Sequence, residues 1–150
     1  QYDLDKSVKC SNFIGDTIDM AKELGFRKML LTGHIGKLIK VSGGIMNTHS
    51  RHADSRAELM AAQAIRAGAD LETAKRILDT ITTEEAIDIL IEKNLTEPVM
   101  KLVTEKIHYY LQHRCDGALQ TEAIIFSNAH GFLGETDGAE EMLKRFMILR

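Results

Sequence analysis

The sequence contains few residues of the types that form disulfide bonds or interrupt helices, and it has no long apolar run. It contains no tryptophan, one proline, and two cysteines (Cys10 and Cys115) that form no CxxC pair. Two isolated cysteines cannot supply a disulfide framework, so both are predicted to be free thiols in a reducing cytoplasm. No segment approaches the roughly 20 consecutive apolar residues that a membrane-spanning helix requires. We therefore expect neither a disulfide-stapled secreted protein nor a helical membrane protein.

An excess of positive charge is also lacking. The 19 Lys and Arg residues are outnumbered by 22 Asp and Glu residues, which gives a net charge of −3. Because no strongly basic face is required, nucleic acid is not expected as the main partner. No repeat or low-complexity linker interrupts the 150 residues, of which 44% are hydrophobic. A chain of this size can bury a full core, so residues 1–150 are predicted to form a single domain.

Most apolar residues recur at helical spacing, and three short apolar runs are typical of strands. The predicted strands are 7–10, 28–32 and 123–127. The predicted helices are one capped by Ser11 or Asn12 and stopped by Gly25, one at about 52–67 that ends at Gly68, and others capped by Asp70, Thr82, Thr96 and Asp137. Short strands joined through helices usually pair in parallel. The sequence therefore predicts a helix-rich α/β fold around a small, mostly parallel sheet.

Polar and glycine residues follow each predicted strand. They are Ser11, Asn12 and Gly15 after the first, Gly33, His34, Gly36 and Lys37 after the second, and Asn128, His130 and Gly131 after the third. Ligands of open parallel sheets bind beyond the carboxyl ends of the strands, so these groups are expected to share one edge. Each also has a structural explanation: the first group as helix caps, the glycines as turn residues, and His130 as a solvated loop residue.

The stretch "LLTGHIGKLIKVSGGIMNTHSR", from Leu30 to Arg51, is rich in glycine and in basic residues. Its glycine spacing, and Leu38 where Ser or Thr is needed, exclude a nucleotide phosphate loop. The spacing of His49, His52 and Asp54 matches no zinc pattern, so no metal is expected. A basic cluster beside a Gly-Gly turn favours an anionic ligand with several carboxylates, although a solvated charged face is the alternative.

Three segments together carry a family resemblance. The runs "VKCSNFIGDTIDMA", "LLTGHIGKLIKVSGGIMNTHSRHADSRAE" and "EAIIFSNAHGFLG" resemble the CbiD family, the cobalt-precorrin-5B C(1)-methyltransferases. The resemblance implies methyl transfer from S-adenosylmethionine to C-1 of a cobalt-containing corrin ring, on the anaerobic route to cobalamin. It also implies that the chain, which begins at Gln1, is the C-terminal portion of a longer cytoplasmic enzyme whose N-terminal part is its partner. The cobalt belongs to the corrinoid substrate.

Candidate roles follow from this chemistry together with position. The predicted substrate-binding residues, which would pair with corrinoid carboxylates, are Lys37, Lys40, Arg51 and Arg56. The predicted cofactor-binding residues, chosen by location alone, are Asn12, Gly15, Gly33 and Gly36. His34 or His49 is predicted to be the catalytic base that makes the acceptor carbon electron-rich. The alternative for both histidines is a structural hydrogen bond to turn backbone.

Two other functions remain open at this point. The first is a non-catalytic binding or assembly lobe that presents a helical surface to a partner domain. The second is an α/β enzyme that acts on another small polycarboxylate ligand.

Overall fold

A computed structural model describes residues 7–148. The elements, in chain order, are α1 (Ile14–Glu23), β1 (Lys28–His34), α2 (Ile35–Val41), α3 (Arg56–Arg66), α4 (Leu71–Leu78), α5 (Thr83–Glu92), α6 (Thr96–Cys115), β2 (Gln120–Ser127), β3 (Gly131–Glu135) and α7 (Ala139–Ile148). The predicted helix-rich α/β fold is therefore confirmed. No helix within residues 7–148 has both the length and the apolar character needed to cross a bilayer.

The sheet has three strands in the order β1-β2-β3. β1 and β2 run parallel, with Leu31 opposite Ala123 and His34 opposite Phe126. β2 and β3 are antiparallel, and Ser127 lies opposite Gly131. One of the two strand pairs is thus parallel, and the hairpin to β3 is the feature that the sequence analysis missed. The parallel pair brings the carboxyl ends of β1 and β2 to the same edge.

The predicted strand at 7–10 is wrong. These residues form no strand in the structure, and Val8 is 89% exposed. The short apolar run has no core to face, so nothing favours its pairing with the sheet. The nearest β contact is an isolated bridge between Phe13 and Asn47. This bridge still brings the segment around Asn12 against the loop that follows α2.

Helix ends follow local rules in most places. Gly25 and Gly68 adopt φ of +78° and +98° just after α1 and α3, as predicted. Asp70 accepts the N–H of Thr73 at the start of α4, and Thr82 with Glu85 forms the predicted capping box of α5.

Four predicted helix starts were wrong in detail. One is that of α7, which begins at Ala139, so that Gly138 and not Asp137 precedes it. Phe13 rather than Ser11 or Asn12 precedes α1, and it makes no side-chain cap. Leu95 precedes α6, and Thr96 is the first residue of that helix. α3 begins at Arg56 and not near residue 52, because 52–55 belong to the loop beside the cleft described below. α2 was missed as a helix because Gly33 lies just before it and Gly36 is its second residue, a pattern that also fits a turn.

The core surrounds α6, which packs against the sheet on one side and against other helices on the other. α6 contacts β2, β3, α1, α2 and α3. The fully buried core side chains on α6 and β2 include Val99, Val103, Ile107, Leu111, Ala123 and Ile125. Because α2 continues directly from β1 and packs on α6, it is fixed at the carboxyl edge of the sheet. That placement positions the polar residues of α2 beside the ends of β1 and β2.

Candidate functional site

A surface cleft of about 550 Å³ opens at the carboxyl end of β1. Four separate parts of the chain line it: the segment before α1, the β1–α2 junction, the loop and start of α3 at 48–56, and the first turn of α5. Of the predicted site residues, those that line the cleft are Asn12, His34, Gly36, Lys37, Lys40, His49 and Arg56. The remaining lining residues are Thr48, Ser50, Thr82, Thr83 and Glu84.

Three predicted site residues do not line the cleft. A Cβ atom at Gly33 would lie 3.0 Å from Cγ of Leu38, so this glycine gives room to a core leucine. A Cβ atom at Gly15 would lie 2.8 Å from Cβ of Met46, so this glycine permits close helix–loop packing. Arg51 is exposed and lies outside the lining. The structure therefore gives both glycines a packing explanation that needs no cofactor.

Both ring nitrogens of His34 are engaged. Nδ1 accepts the backbone N–H of Gly36 at 3.0 Å, which caps α2. Nε2 lies 3.1 Å from Oε1 of Glu84. An N–H group can only donate, so Nδ1 carries no proton and Nε2 carries it. In this arrangement His34 is a hydrogen-bond donor to Glu84 and has no free lone pair with which to remove a proton.

His49 repeats the same local pattern. Its Nδ1 accepts the backbone N–H of Arg51 at 3.1 Å, and its own backbone N–H donates to Oδ1 of Asn47. The neutral ring therefore also carries its proton on Nε2. The residue is exposed on the loop that lines the cleft. Both histidines thus show the turn-backbone bonding that was the structural alternative for them.

Lys40 is buried, with only 2% of its surface exposed. Its ammonium donates to the carbonyl oxygens of Thr48 at 3.1 Å and Ala53 at 2.9 Å. Burial lowers the pKa of Lys40, and the nearby Asp54 carboxylate acts in the opposite direction. Two of its three N–H donors hold the loop that lines the cleft, which leaves one for a ligand.

The other basic side chains of the cleft differ in whether a carboxylate already pairs with them. Arg56 makes a two-point pair with Asp54, at 2.8 Å from Nε and 2.9 Å from Nη2. The hydrogen bond from Arg56 lowers the pKa of Asp54. Lys37 is exposed on the cleft wall, and within residues 7–148 no carboxylate forms an ion pair with it. Lys37 is therefore the most available positive charge in the lining.

Glu84 is the charged residue of the cleft lining that the sequence analysis missed. It lies in the first turn of α5, 50 residues from His34, and its second oxygen accepts from Oγ of Ser127 at 2.9 Å. Partial burial raises the pKa of Glu84, but hydrogen bonds from Ser127 and His34 outweigh it, so the pKa lies below its ordinary value. No local sequence signal marks this residue, because its partners lie on two distant strands.

The carboxyl end of β2 reaches the same carboxylate. His130 donates its backbone N–H to Oγ of Ser127, and its Nε2 lies 3.0 Å from Oδ1 of Asp88 and 3.8 Å from Oε2 of Glu84. Asn12 joins the opposite wall, where its Oδ1 accepts from the hydroxyl of Thr48 at 3.1 Å. Across the part of the chain that the structure describes, no three His, Cys, Asp or Glu side chains are placed to hold a metal ion.

Comparison with known proteins gives one consistent family. Residues 47–137 match the profile described as the C-terminal domain of CbiD. The chain is 43% identical over 147 residues to the cobalt-precorrin-5B C(1)-methyltransferase of Ruminiclostridium cellulolyticum, covering 95% of the chain and 38% of that relative. It is 38% identical over 148 residues to the enzyme of the same name from Clostridioides difficile, covering 97% of the chain and 36% of that relative.

An archaeal relative matches to a similar degree. The cobalt-precorrin-5B C(1)-methyltransferase of Methanocaldococcus jannaschii is 42% identical over 130 residues, covering 87% of the chain and 36% of that relative. The chain therefore spans little more than a third of the length of these curated relatives. No solved structure gives a significant match. The profile match covers more than half of the chain, and the chain belongs to the CbiD family.

Proposed function

We propose that this chain is the C-terminal portion of a cobalt-precorrin-5B C(1)-methyltransferase. In this proposal a methyl group passes from S-adenosylmethionine to C-1 of cobalt-precorrin-5B in anaerobic cobalamin biosynthesis, in the cytoplasm. The supporting observation is the cleft at the carboxyl end of β1 of a CbiD family chain, which is lined by both His34 and the exposed Lys37. The two free cysteines are in keeping with a reducing compartment.

The charge distribution of the cleft suits a polycarboxylate. Corrin precursors carry several acetate and propionate groups, and the exposed ammonium of Lys37 offers them a point charge. Lys40 adds one remaining N–H from the buried side of the cleft. Arg56 keeps Nη1 after its two-point pair with Asp54. A volume of about 550 Å³ lies within the usual size range of small-molecule sites.

The residues of this chain hold and orient the reactants in this proposal. S-adenosylmethionine, when bound, supplies the methyl group, and the acceptor carbon must be held in line with it. The bonding of His34 and His49 makes each a donor at Nε2, so we propose that they position ligand or loop groups. To act as the catalytic base through Nδ1, His34 must first release the N–H of Gly36. His49 must likewise release the N–H of Arg51.

An assembly lobe is the second candidate. Lys40 and Arg56, two of the predicted ligand cations, are largely occupied by groups of the chain itself. The chain also spans little more than a third of its curated relatives, which suggests that the N-terminal part of the same protein is a partner. Under this alternative the chain shapes the site, and another segment provides most of the ligand contacts.

Titration of the purified chain with S-adenosylhomocysteine and, separately, with a cobalt corrinoid that carries free carboxylates tests the proposal. We expect calorimetric binding of at least one of them, and a loss of about tenfold in corrinoid affinity for Lys37→Ala because one charge-assisted contact is removed. Lys101→Ala, an exposed lysine outside the cleft, is the matched control and should leave affinity unchanged.

The alternative gives a different result in the same experiment. If the chain binds neither compound, but binding appears once the N-terminal two thirds of the R. cellulolyticum relative is added, the assembly lobe is favoured. If a corrinoid binds with equal affinity to the Lys37→Ala and Lys101→Ala variants, the cleft is not where it binds.

A further inference from the structure

The ends of β1 and β2 and the start of α5 meet at the carboxylate of Glu84. Oε1 faces Nε2 of His34 at the end of β1, and Oε2 accepts from Oγ of Ser127 at the end of β2. The carboxylate itself belongs to α5. These contacts join segments that are far apart in the sequence, so Glu84 fixes their relative positions at the edge of the sheet.

The same carboxylate restricts the His34 ring. A carboxylate can only accept from Nε2, and the N–H of Gly36 can only donate to Nδ1. The two partners therefore hold the ring in one tautomer and one orientation. Through Gly36 the ring caps α2, the helix that carries Lys37 on the cleft wall. A continuous chain of bonds therefore runs from Glu84 to the helix that presents the free ammonium.

We propose that Glu84 is a positioning residue of this site: its carboxylate orients His34, and through His34 it holds α2 and Lys37 in the geometry that binds ligand carboxylates. This inference rests on the proposed function for its ligand, a polycarboxylate corrinoid. The orientation of His34 by Glu84 is a separate claim about the chain itself. A second hydrogen bond, from Ser127, keeps the carboxylate directed at the ring.

Histidine side-chain NMR of the ¹⁵N-labelled chain tests the orientation. In the wild-type chain, we expect a slowly exchanging Nε2–H proton for His34, because that proton is bonded to Glu84. Glu84→Ala should remove this signal, and Glu84→Gln should restore it, since the amide oxygen can accept the same bond. Asp88→Ala is the matched control: it removes a carboxylate one turn later on α5 that faces His130 and not His34.

Corrinoid titration of the same variants tests the consequence. Affinity should fall about tenfold in Glu84→Ala, as expected for loss of a hydrogen bond to a charged group, and recover in Glu84→Gln. Asp88→Ala should bind as the wild type does. A persistent Nε2–H signal and unchanged affinity in Glu84→Ala would overturn the inference.

The two proposals fail in distinguishable ways. If no variant, including the wild type, binds a corrinoid, then the proposed ligand is wrong, and the consequence of Glu84 for that ligand is wrong with it. The NMR signal still decides whether Glu84 orients His34. Should Glu84→Ala not fold, Ser127→Ala replaces it, because it frees one oxygen of Glu84 without touching His34. That variant is expected to weaken the Nε2–H signal, and an unchanged signal would count against the inference.

Discussion

The two ends of β2 carry the same three kinds of side chain in different settings. At the carboxyl end, Glu84 accepts from Ser127 and faces His34, and about a third of its side chain is exposed to the cleft. At the amino end, Glu122 accepts from the hydroxyl of Thr136 at 2.5 Å and lies 3.4 Å from Nδ1 of His108. Glu122, however, is only 3% exposed.

The difference shows that a carboxylate, a hydroxyl and a histidine do not make a site by themselves. Gly138 packs so closely on Glu122 that a Cβ atom there would lie 2.5 Å from Oε1. The Glu122 carboxylate is therefore enclosed, whereas Nδ1 of His108 has no hydrogen-bond partner within residues 7–148 and the His108 side chain is 42% exposed. The carboxyl end is open because β1 and β2 stop there and α5 approaches without covering it. Room for a ligand, set by the topology of the sheet, separates the two clusters.

The largest expected contrast is in stability. Glu122→Ala should lower the free energy of unfolding by about 2–4 kcal/mol, because it leaves a cavity and a buried Thr136 hydroxyl without its closest acceptor. Glu84→Ala should cost only about 1–2 kcal/mol, because water can replace its bonds at the cleft. Urea unfolding of both variants at pH 7 measures the difference. Equal losses, or a larger loss for Glu84→Ala, would contradict the contrast.

Local signals explain what the sequence predicted correctly. The caps at Asp70 and Thr82 and the stop at Gly25 depend on residues within one turn, so the pattern was sufficient. The strands at 28–32 and 123–127 were found but extend by two and three residues in the structure. Their apolar runs identify buried strands, and pairing between distant segments decides where they end.

Long-range contacts explain what the sequence did not predict. Lys40 was predicted to bind ligand because it lies three residues from Lys37 on the same helical face, yet the loop folds back and buries it. Glu84 was not considered, because its importance depends on His34 and Ser127, which reach it through the sheet topology. β3 was missed because its residues, GFLGE, have no strand-like alternation of their own and pair only through the turn after Ser127.

A second contrast is between Gly138, which packs on Glu122, and Gly36, which lies beside His34. Gly138→Ala should lower the free energy of unfolding by about 1–3 kcal/mol, because the new methyl group overlaps the Glu122 carboxylate, which is buried and must give up its bond with Thr136 to move. At Gly36 a Cβ atom would lie 3.1 Å from Nδ1 of His34, at the cleft, where a small shift is possible. Helix propensity favours alanine at Gly36 by about 1 kcal/mol, so that variant should be close to neutral.

Thermal or urea unfolding of the two glycine variants makes this comparison directly. A strongly destabilised Gly36→Ala protein would mean that the cleft cluster is packed as tightly as the closed one. In that case the openness of the carboxyl end could not explain the difference between the clusters.

The smallest expected effect is the pH dependence that Glu84 contributes. Despite partial burial, hydrogen bonds from Ser127 and His34 hold its folded-state pKa below the ordinary value of 4.5. A carboxyl group with a depressed pKa stabilises the fold above its unfolded-state value and loses that contribution as the pH falls through the folded-state value. The stability difference between wild type and Glu84→Gln should therefore be constant from about pH 7 to 5 and shrink below 4.5.

The size of this difference should be about 1 kcal/mol or less, because the partly exposed side chain is screened by solvent. Urea unfolding at closely spaced pH values between 3 and 7 measures it, and Asp88→Asn on the same helix corrects for the general effect of removing a negative charge. A difference that stays flat through pH 4, or that grows in acid, would show that the carboxylate of Glu84 is not held by Ser127 and His34. The cluster around Glu84 would then lack the hydrogen bonds that make it comparable with the cluster around Glu122.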